Sequence, residues 1–566
     1  MSTPEAVALP QSDGKPAPAA EEVRLSRDMS LLDATMLGVG ALMGGGVFVL
    51  VGIATGVAGP AVLLAFALNG LITIPTLMVY AELGSAYHDA GGGYLWVKES
   101  LGQPWGFMSG WISWFSHAVA CALYSIASAS YVLWLLKTLD VADFGTATPY
   151  YVKGLAVFLA LSFVALNYVG TKHSVKTENA INVVVLFIVL GFIGLGLHAL
   201  TAKPDLALAN FADFFPTGPW GVALAMGITF ISFEGYEIIS QSSEEIKNPK
   251  RNIPRAIFLT MAIVLPIYLL VVLITVGTAL APAGMPAWVH LGNLRENAVV
   301  EVAGQMVAGG AIVLVGVALL LQLTALNATI YSSSRVSFAM GRDGNLPSFF
   351  GKIHPHRRTP HLSVWGSGVI IMGMALLPIE AAAAAADIMF LLLFLLVNVS
   401  YIKLRNTLPK ESFGYRAPLF PILPVLGILS QIGLAIVLFS YHPAASLSSF
   451  AWLGLGLAFY YLYTRPREHA SGAIKPRLRV LHESPHPPLR DYRILVPISN
   501  PANADALASA AKALAKGLDG EVLFLYVVQV PDVTPLTEGE QFVARARPIF
   551  ERAETVVGNE VPLHTL

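Results

Sequence analysis

Apolar stretches of about 20 residues, separated by short polar or Pro- and Gly-bearing segments, recur from residue 31 to residue 464. A helix needs about that many residues to cross roughly 30 Å of hydrocarbon. The pattern therefore predicts twelve spans, near 31–57, 60–86, 106–136, 150–170, 180–200, 219–242, 256–280, 304–332, 361–379, 383–402, 419–440 and 446–464. Beyond them the period changes. RILVPIS at Arg493–Ser499 reads as a strand, Ala504–Leu518 as an Ala-rich amphipathic helix, and EVLFLYVVQV at Glu521–Val530 as a second strand, with a further helix expected over 538–557. Strand–helix–strand in so short a stretch is a βαβ unit. The expected organisation is a tail at 1–28, a membrane domain at 29–464, a basic Pro-containing linker at 465–488 and a small, incomplete α/β domain at 489–566. The first 30 residues are polar and Pro/Ala/Glu-rich, with no sign of a cleavable leader.

Two spans break their own pattern. GVGALMGGGVFVLVGIA at Gly38–Ala54 carries three successive glycines at its middle. Each glycine weakens a helix, and backbone opened inside lipid leaves N–H and C=O groups without water. The sixth span, beginning ITFISFEGYEIIS at Ile228, holds Glu234 and Glu237 around Gly235. An ionisable residue at membrane depth marks a functional site by default, although a water-filled vestibule or a helix end would also tolerate Glu237. Interrupted helices in corresponding positions of two halves point to a transporter site at an inverted-repeat interface. The broken ends suit a zwitterion, because free amides at a half-helix N-terminus take a carboxylate and unpaired carbonyls take an ammonium. The competing reading of the glycine run is a small-residue face for a neighbouring helix.

Composition agrees with the pattern. The chain has 566 residues, 55% of them hydrophobic and 13% charged, with mean hydropathy +0.64. A soluble domain carries about 25% charged residues, so this is an integral membrane protein. The net charge of −1 gives no footprint for nucleic acid, and the single cysteine, Cys121, excludes an internal disulfide or a multi-cysteine metal site. If the N-terminus is inside, the inner loops receive Lys98, Lys172, Lys176, Lys247, Lys250, Arg251, Arg255, Arg335, Arg342, Lys352, Arg357, Arg358, Lys403, Arg405, Lys410 and Arg416. The outer side receives Lys137, Lys153, Lys203 and Arg295, so both termini are expected in the cytoplasm and the chain in the plasma (inner) membrane.

Four stretches carry a resemblance: GVGALMGGGVF, YAELGSAYHDAGGGYLWVKESLG (Tyr80–Gly102), SFEGYE with SEEIKNPKRNIPRAI behind it, and NATIYSSSRVSFAMGRDGNLP (Asn327–Pro347). Together they resemble the amino acid–polyamine–organocation superfamily over roughly residues 25–465. The resemblance implies an all-α membrane fold of the LeuT type, with inverted repeats, broken first and sixth helices and two peripheral helices, and amino acid transport by alternating access. Carried over by position, the amides of Gly44, Gly45 and Gly46 would hold the substrate carboxylate. The carbonyls of Leu42, Ile231, Ser232 and Glu234 would hold its ammonium. Many relatives have Ser or Thr where this chain has Gly45, so recognition here would rest on amides alone.

Beside that site, Ser113, His117, Cys121 and Tyr124 share one face of the third span. By position in the family pattern, His117 and Cys121 look toward the substrate side chain; His117 has an equal claim to a structural role. Glu237 is the candidate proton carrier, since a carboxyl group taken out of water can exchange protons near neutral pH. Phe233 is its neighbour in a coupling or gating role. No lysine lies between Lys176 and Lys203, which removes an internal-cation device used by proton-coupled relatives. Ser333, in the run Ser332–Ser334, could serve a sodium ion or simply be a polar helix exit, and the expected coupling ion is H+ rather than Na+. Glu234 and Glu237 would favour a range of amino acids that includes cationic ones. The tail resembles the opening of a universal stress protein domain, without the later glycine-rich phosphate loop and with Ser499 where nucleotide binders often have Asp. It is expected to act as a docking or dimerisation surface. No nucleophile–base set, phosphate loop or metal cluster argues for an enzyme, and no cofactor is expected. The competing classes are a potassium-uptake protein on the same scaffold and a transporter-like receptor signalling through its tail.

Overall fold

In the computed structural model the residues described are 28–87, 91–170, 175–357, 359–441, 443–470, 492–497, 503–525, 550–552, 554–558 and 561–565. The first helix, α1 (Leu31–Gly45), starts behind Ser30, whose hydroxyl accepts from the Asp33 amide (3.3 Å) while the Asp33 carboxylate accepts from the Ser30 amide (2.7 Å). This reciprocal cap satisfies amides that a helix start leaves without partners. After one residue, Gly46, α2 (Val47–Ala58) continues, and the chain turns through Gly59–Ala61 into α3 (Val62–Ala86). A short α4 (Gly93–Leu101) leads to α5 (Gln103–Thr138), then α6 (Thr148–Val169), α7 (Val175–Ala202) and α8 (Pro204–Phe211).

The sixth expected span is broken as well. Helix α9 (Gly218–Thr229) ends in a 3-10 turn at Phe230–Phe233, Glu234 is extended, and α10 (Tyr236–Gln241) restarts behind Gly235. Next come α11 (Pro249–Thr278), the short α12 (Ala287–Leu294) and α13 (Ala298–Met306), α14 (Gly310–Arg342), α15 (His361–Met374), α16 (Ile379–Thr407), α17 (Ile422–Tyr441), α18 (Pro443–Phe459) and α19 (Arg465–Ala470). Ten described stretches are long and apolar enough to cross a membrane, among them the 56-residue run Leu31–Ala86, which holds α1, α2 and α3, while α15 is apolar but shorter. Twelve spans were expected; the difference lies in that long run and in α15.

Around the broken helices, α5 packs chiefly on α14 and α16, and α11 on α3 and α1. Small residues make this possible: Ala381–Ala386 in α16 are all buried, as are Ser109, Ser113, Ser116, Ser125 and Ser128 in α5. Several α5 hydroxyls turn back onto their own helix, Ser125 donating to the Cys121 carbonyl at 2.8 Å, so they enter the core without orphaned protons.

Several elements differ from the pattern-based ones. Helix α11 begins at Pro249, seven residues ahead of the expected 256, because Pro is accommodated at the first helical position and the basic residues that look like loop extend the helix past the apolar core. The helices α12 and α13 fall where only a connection was expected. In the tail, β1 (Arg493–Pro497), α20 (Ala504–Leu518) and β2 (Glu521–Leu525) form the expected unit, with Arg493 opposite Glu521 in parallel register. A third strand, β3 (Leu563–Thr565), pairs with β2 and was not expected. Ala504, Ala508, Ala511 and Ala515 form the buried face of α20. The expected continuation of β2 to Val530, Ser499, and much of the helix expected over 538–557 lie outside the described residues, although 550–552 and 554–557 are helical.

Candidate functional site

Gly46 and Gly235 set the geometry at the two interruptions. A Cβ on Gly46 would run into the Ser232 side chain and reach 2.7 Å from its Cα. Gly235 has φ +131°, which L side chains rarely adopt, and a Cβ there would lie 3.0 Å from the Leu42 amide nitrogen and the Ala41 Cβ. The two breaks therefore lie against each other with no room for a Cβ at Gly46 or Gly235. Gly44 belongs to a different contact: its missing Cβ makes room for Ala325 and for the Leu321 carbonyl of α14. The packing reading of the glycine run thus describes Gly44, and the open-break reading describes Gly46. Gly45 ends α1.

Tyr268 of α11 ties the two breaks together. Its hydroxyl lies 2.6 Å from the Leu42 carbonyl and 2.9 Å from the Ser232 carbonyl. One phenolic proton serves one of these at a time, so each carbonyl retains accepting capacity. The Ile231 carbonyl accepts from the Glu234 amide at 3.2 Å. Phe233 packs against Tyr268 and Phe66, with ring centroids 5.5 and 6.0 Å away, and closes the aromatic wall behind the break.

The acidic groups come next. The Glu237 carboxylate accepts from the Gly235 amide at 2.7 Å, capping α10 at the break. Its other oxygen lies 3.8 Å from His117 Nε2. His117 Nδ1 is 2.7 Å from the Ser113 carbonyl, an acceptor, which assigns the proton to Nδ1 and leaves Nε2 to face Glu237 and the Gln241 amide (3.4 Å). Neither oxygen of Glu234 has a hydrogen-bond partner among the described residues, and Glu234 is buried. Asp387 of α16 is fully buried as well, interacts electrostatically with Glu234 and faces the Ile231 amide at the break. Burying carboxyl groups without hydrogen-bond partners is expensive, which sets Glu234 apart from the hydrogen-bonded Glu237.

A small cavity joins these groups, lined by Ala41, His117, Ala120, Tyr124, Glu234, Gly235, Glu237, Ile238, Thr329 and Phe390. Its volume of about 10 Å³ is one water's worth, so the surroundings are closed around it. His117, Glu234 and Glu237 thus come together as the sequence suggests. Cys121 does not line the cavity; its sulfur faces the Leu326 carbonyl of α14 at 3.8 Å. Ser333 also points elsewhere, its hydroxyl lying 3.2 Å from the Trp114 carbonyl, which accepts from it, and 3.0 Å from the Ser367 hydroxyl, as at a polar helix exit. Asp387 was missed by the sequence reading. Its signal was present, one carboxylate after a run of alanines, but it fell at the edge of the expected span 383–402, where an acid reads as a boundary.

Residues 29–460 match the family model described as "Amino acid permease". The chain is 31% identical over 453 residues to the methylthioribose transporter of Bacillus subtilis (strain 168), covering 78% of this chain and 94% of that protein. It is 30% identical over 462 residues to the branched-chain amino acid permease BcaP of the same strain, covering 79% and 95%. With cationic amino acid transporter 4 of Homo sapiens it shares 30% identity over 419 residues, covering 69% of this chain and 62% of that one.

Proposed function

The chain belongs to the amino acid permease family, and from that premise we propose that it is a secondary active transporter that moves amino acids past the two facing breaks, α1/α2 and α9/α10, by alternating access. The observation that carries this reading is the close approach of the two interruptions, Gly46 on Ser232 and Gly235 on Leu42, with a cavity beside it. The amides of Gly44, Gly45 and Gly46 take the substrate carboxylate, and the carbonyls of Leu42, Ile231, Ser232 and Glu234 take its ammonium. Each carbonyl has a second lone pair for that purpose even while Tyr268 or the Glu234 amide occupies the first. Counting Leu31–Ala86 twice and adding α15 brings the spans to twelve, in inverted repeats, with both termini in the cytoplasm and the chain in the plasma membrane.

The two buried acidic groups, Glu234 and Asp387, favour substrates that bring a positive charge, so the accepted range includes cationic amino acids. Glu237, held by the Gly235 amide and facing His117, is the proton carrier, and transport is proton-coupled symport or exchange. The parallel βαβ tail is a universal stress protein-like module that acts by docking or dimerisation. Uptake into liposomes of a labelled amino acid panel, under a proton gradient, a sodium gradient or none, tests the proposal. Uptake of lysine or arginine together with neutral amino acids, driven by protons, is expected; no uptake of any amino acid would end it. In Asp387→Asn, cationic uptake should fall about tenfold while neutral uptake stays within twofold, and equal losses would remove Asp387 from selectivity. The same carboxylates would also suit an ion-conducting relative, so flux of labelled rubidium without any amino acid is the outcome that favours that second reading.

A further inference from the structure

Away from the breaks, a cavity of about 580 Å³ opens at the first two turns of α11, where Lys250, Arg251 and Arg255 line it together with Phe258, Gly414 and Tyr415. The connection before α17 forms its other wall, and it comes so close that a Cβ on Gly414 would meet the Lys250 main chain. Phe258 and Tyr415 pack edge to face with centroids 5.1 Å apart. Three cations therefore share one cleft built by main chain and rings. Arg251 and Arg255, one turn apart and exposed, form no ion pair with a described carboxylate. No described residue lining the cavity is acidic. Arg251, Arg255 and the N-terminal end of α11 together give the cleft a positive potential that favours an anion.

The surroundings identify the anion. The cleft lies at the end of a 30-residue apolar helix, so it sits at the level of lipid headgroups. Phe258 and Tyr415 occupy the interfacial level that aromatic side chains favour. Leu259, the next residue of α11, is 44% exposed, and Ile422, Val425, Leu426 and Leu429 of α17 are exposed at one-face spacing beyond the loop that carries Gly414. Phosphate-binding charge thus borders apolar surface suited to acyl chains.

We infer that Lys250, Arg251 and Arg255 form a binding site for the phosphodiester headgroup of an anionic phospholipid in the leaflet on the α11 N-terminal side. The charge asymmetry places that leaflet on the cytoplasmic side. The inference does not depend on the chain being a transporter, only on its lying in a membrane. The test uses the full chain in detergent, with lipid retention measured by native mass spectrometry for phosphatidylglycerol and phosphatidylcholine. Phosphatidylglycerol should be retained at least tenfold better by the unaltered chain, and the double variant Arg251→Ala/Arg255→Ala should lose most of that preference. Arg251→Lys/Arg255→Lys, which keeps the charge, should restore it, and a thermal melt within a few degrees of the parent shows that each variant is folded. An unchanged preference in the alanine variant overturns the site. Inorganic phosphate at millimolar concentration should leave phosphatidylglycerol bound. Displacement by it, with no lipid preference remaining, would assign the cleft to a soluble phosphate and overturn the lipid.

Discussion

At the scale of single residues, Gly235 and Glu237 show how one short segment serves both architecture and chemistry. The φ of +131° at Gly235 and the Leu42 amide 3.0 Å from its missing Cβ leave no room for a side chain. Gly235→Ala should therefore cost about 1–3 kcal/mol and lower the melting temperature by several degrees, with uptake lost. A variant melting like the parent and still transporting would show that the break relaxes freely. Glu237→Gln is the complementary experiment, because the Gln oxygen can still accept from the Gly235 amide (2.7 Å to Glu237) while the charge is gone. If Glu237 carries the proton, uptake measured from about pH 5 to 8 should lose its pH dependence, with His117, Glu234 and Asp387 still in place. A profile parallel to the parent's would clear Glu237 of the role.

Between elements, the Tyr268 hydroxyl is the one described group that reaches carbonyls of both breaks, Leu42 at 2.6 Å and Ser232 at 2.9 Å. Tyr268→Phe keeps the ring contacts with Phe66 and Phe233 and removes only that bridge. Leaving a buried carbonyl without its donor costs about 1–3 kcal/mol. The variant should melt lower and bind amino acids more weakly, as judged by ligand-induced shifts in melting temperature; an unchanged melt and unchanged shift would make the bridge incidental. The sequence made both interruptions legible, since Gly44–Gly46 and Glu234–Gly235 violate the rules for helices in lipid. Glu234 and Glu237 stood out for the same reason, whereas His117 rested on its face of the third span and its position in the family pattern. Tyr268 was not legible, because a tyrosine in an apolar span reads as core until its neighbour is known. Cys121 went the other way: helical spacing defines a shared face, but it does not say which helix that face meets, and its sulfur faces α14 rather than the cavity. Strand β3 has three residues, too few to carry an alternation.

For the molecule as a whole, the open question is how often the chain crosses the membrane, and its lone cysteine makes that measurable. Leu31–Ala86 is 56 residues long, roughly 84 Å if it were one straight helix, about three times a hydrocarbon core. Its interruption at Gly46 and the turn at Gly59–Ala61 make two crossings the reading that fits. The 14 residues of α15 span about 21 Å, enough only if its neighbours thin the path or the adjoining chain completes it. If both count, the number of crossings is even, and Asp28 and Arg467 lie on one side with Lys203 on the other. Cys121 is fully buried, so the unaltered chain should resist a membrane-impermeant maleimide. Introduced one at a time, Asp28→Cys and Arg467→Cys should label only after cells are permeabilised, and Lys203→Cys should label in intact cells. Labelling of Asp28→Cys and Arg467→Cys from opposite sides would make the count odd and turn α15 into a helix that does not cross. An odd count would also break the inverted repeat on which the pairing of α1 with α10 depends, so this single comparison tests the architecture beneath the proposed site.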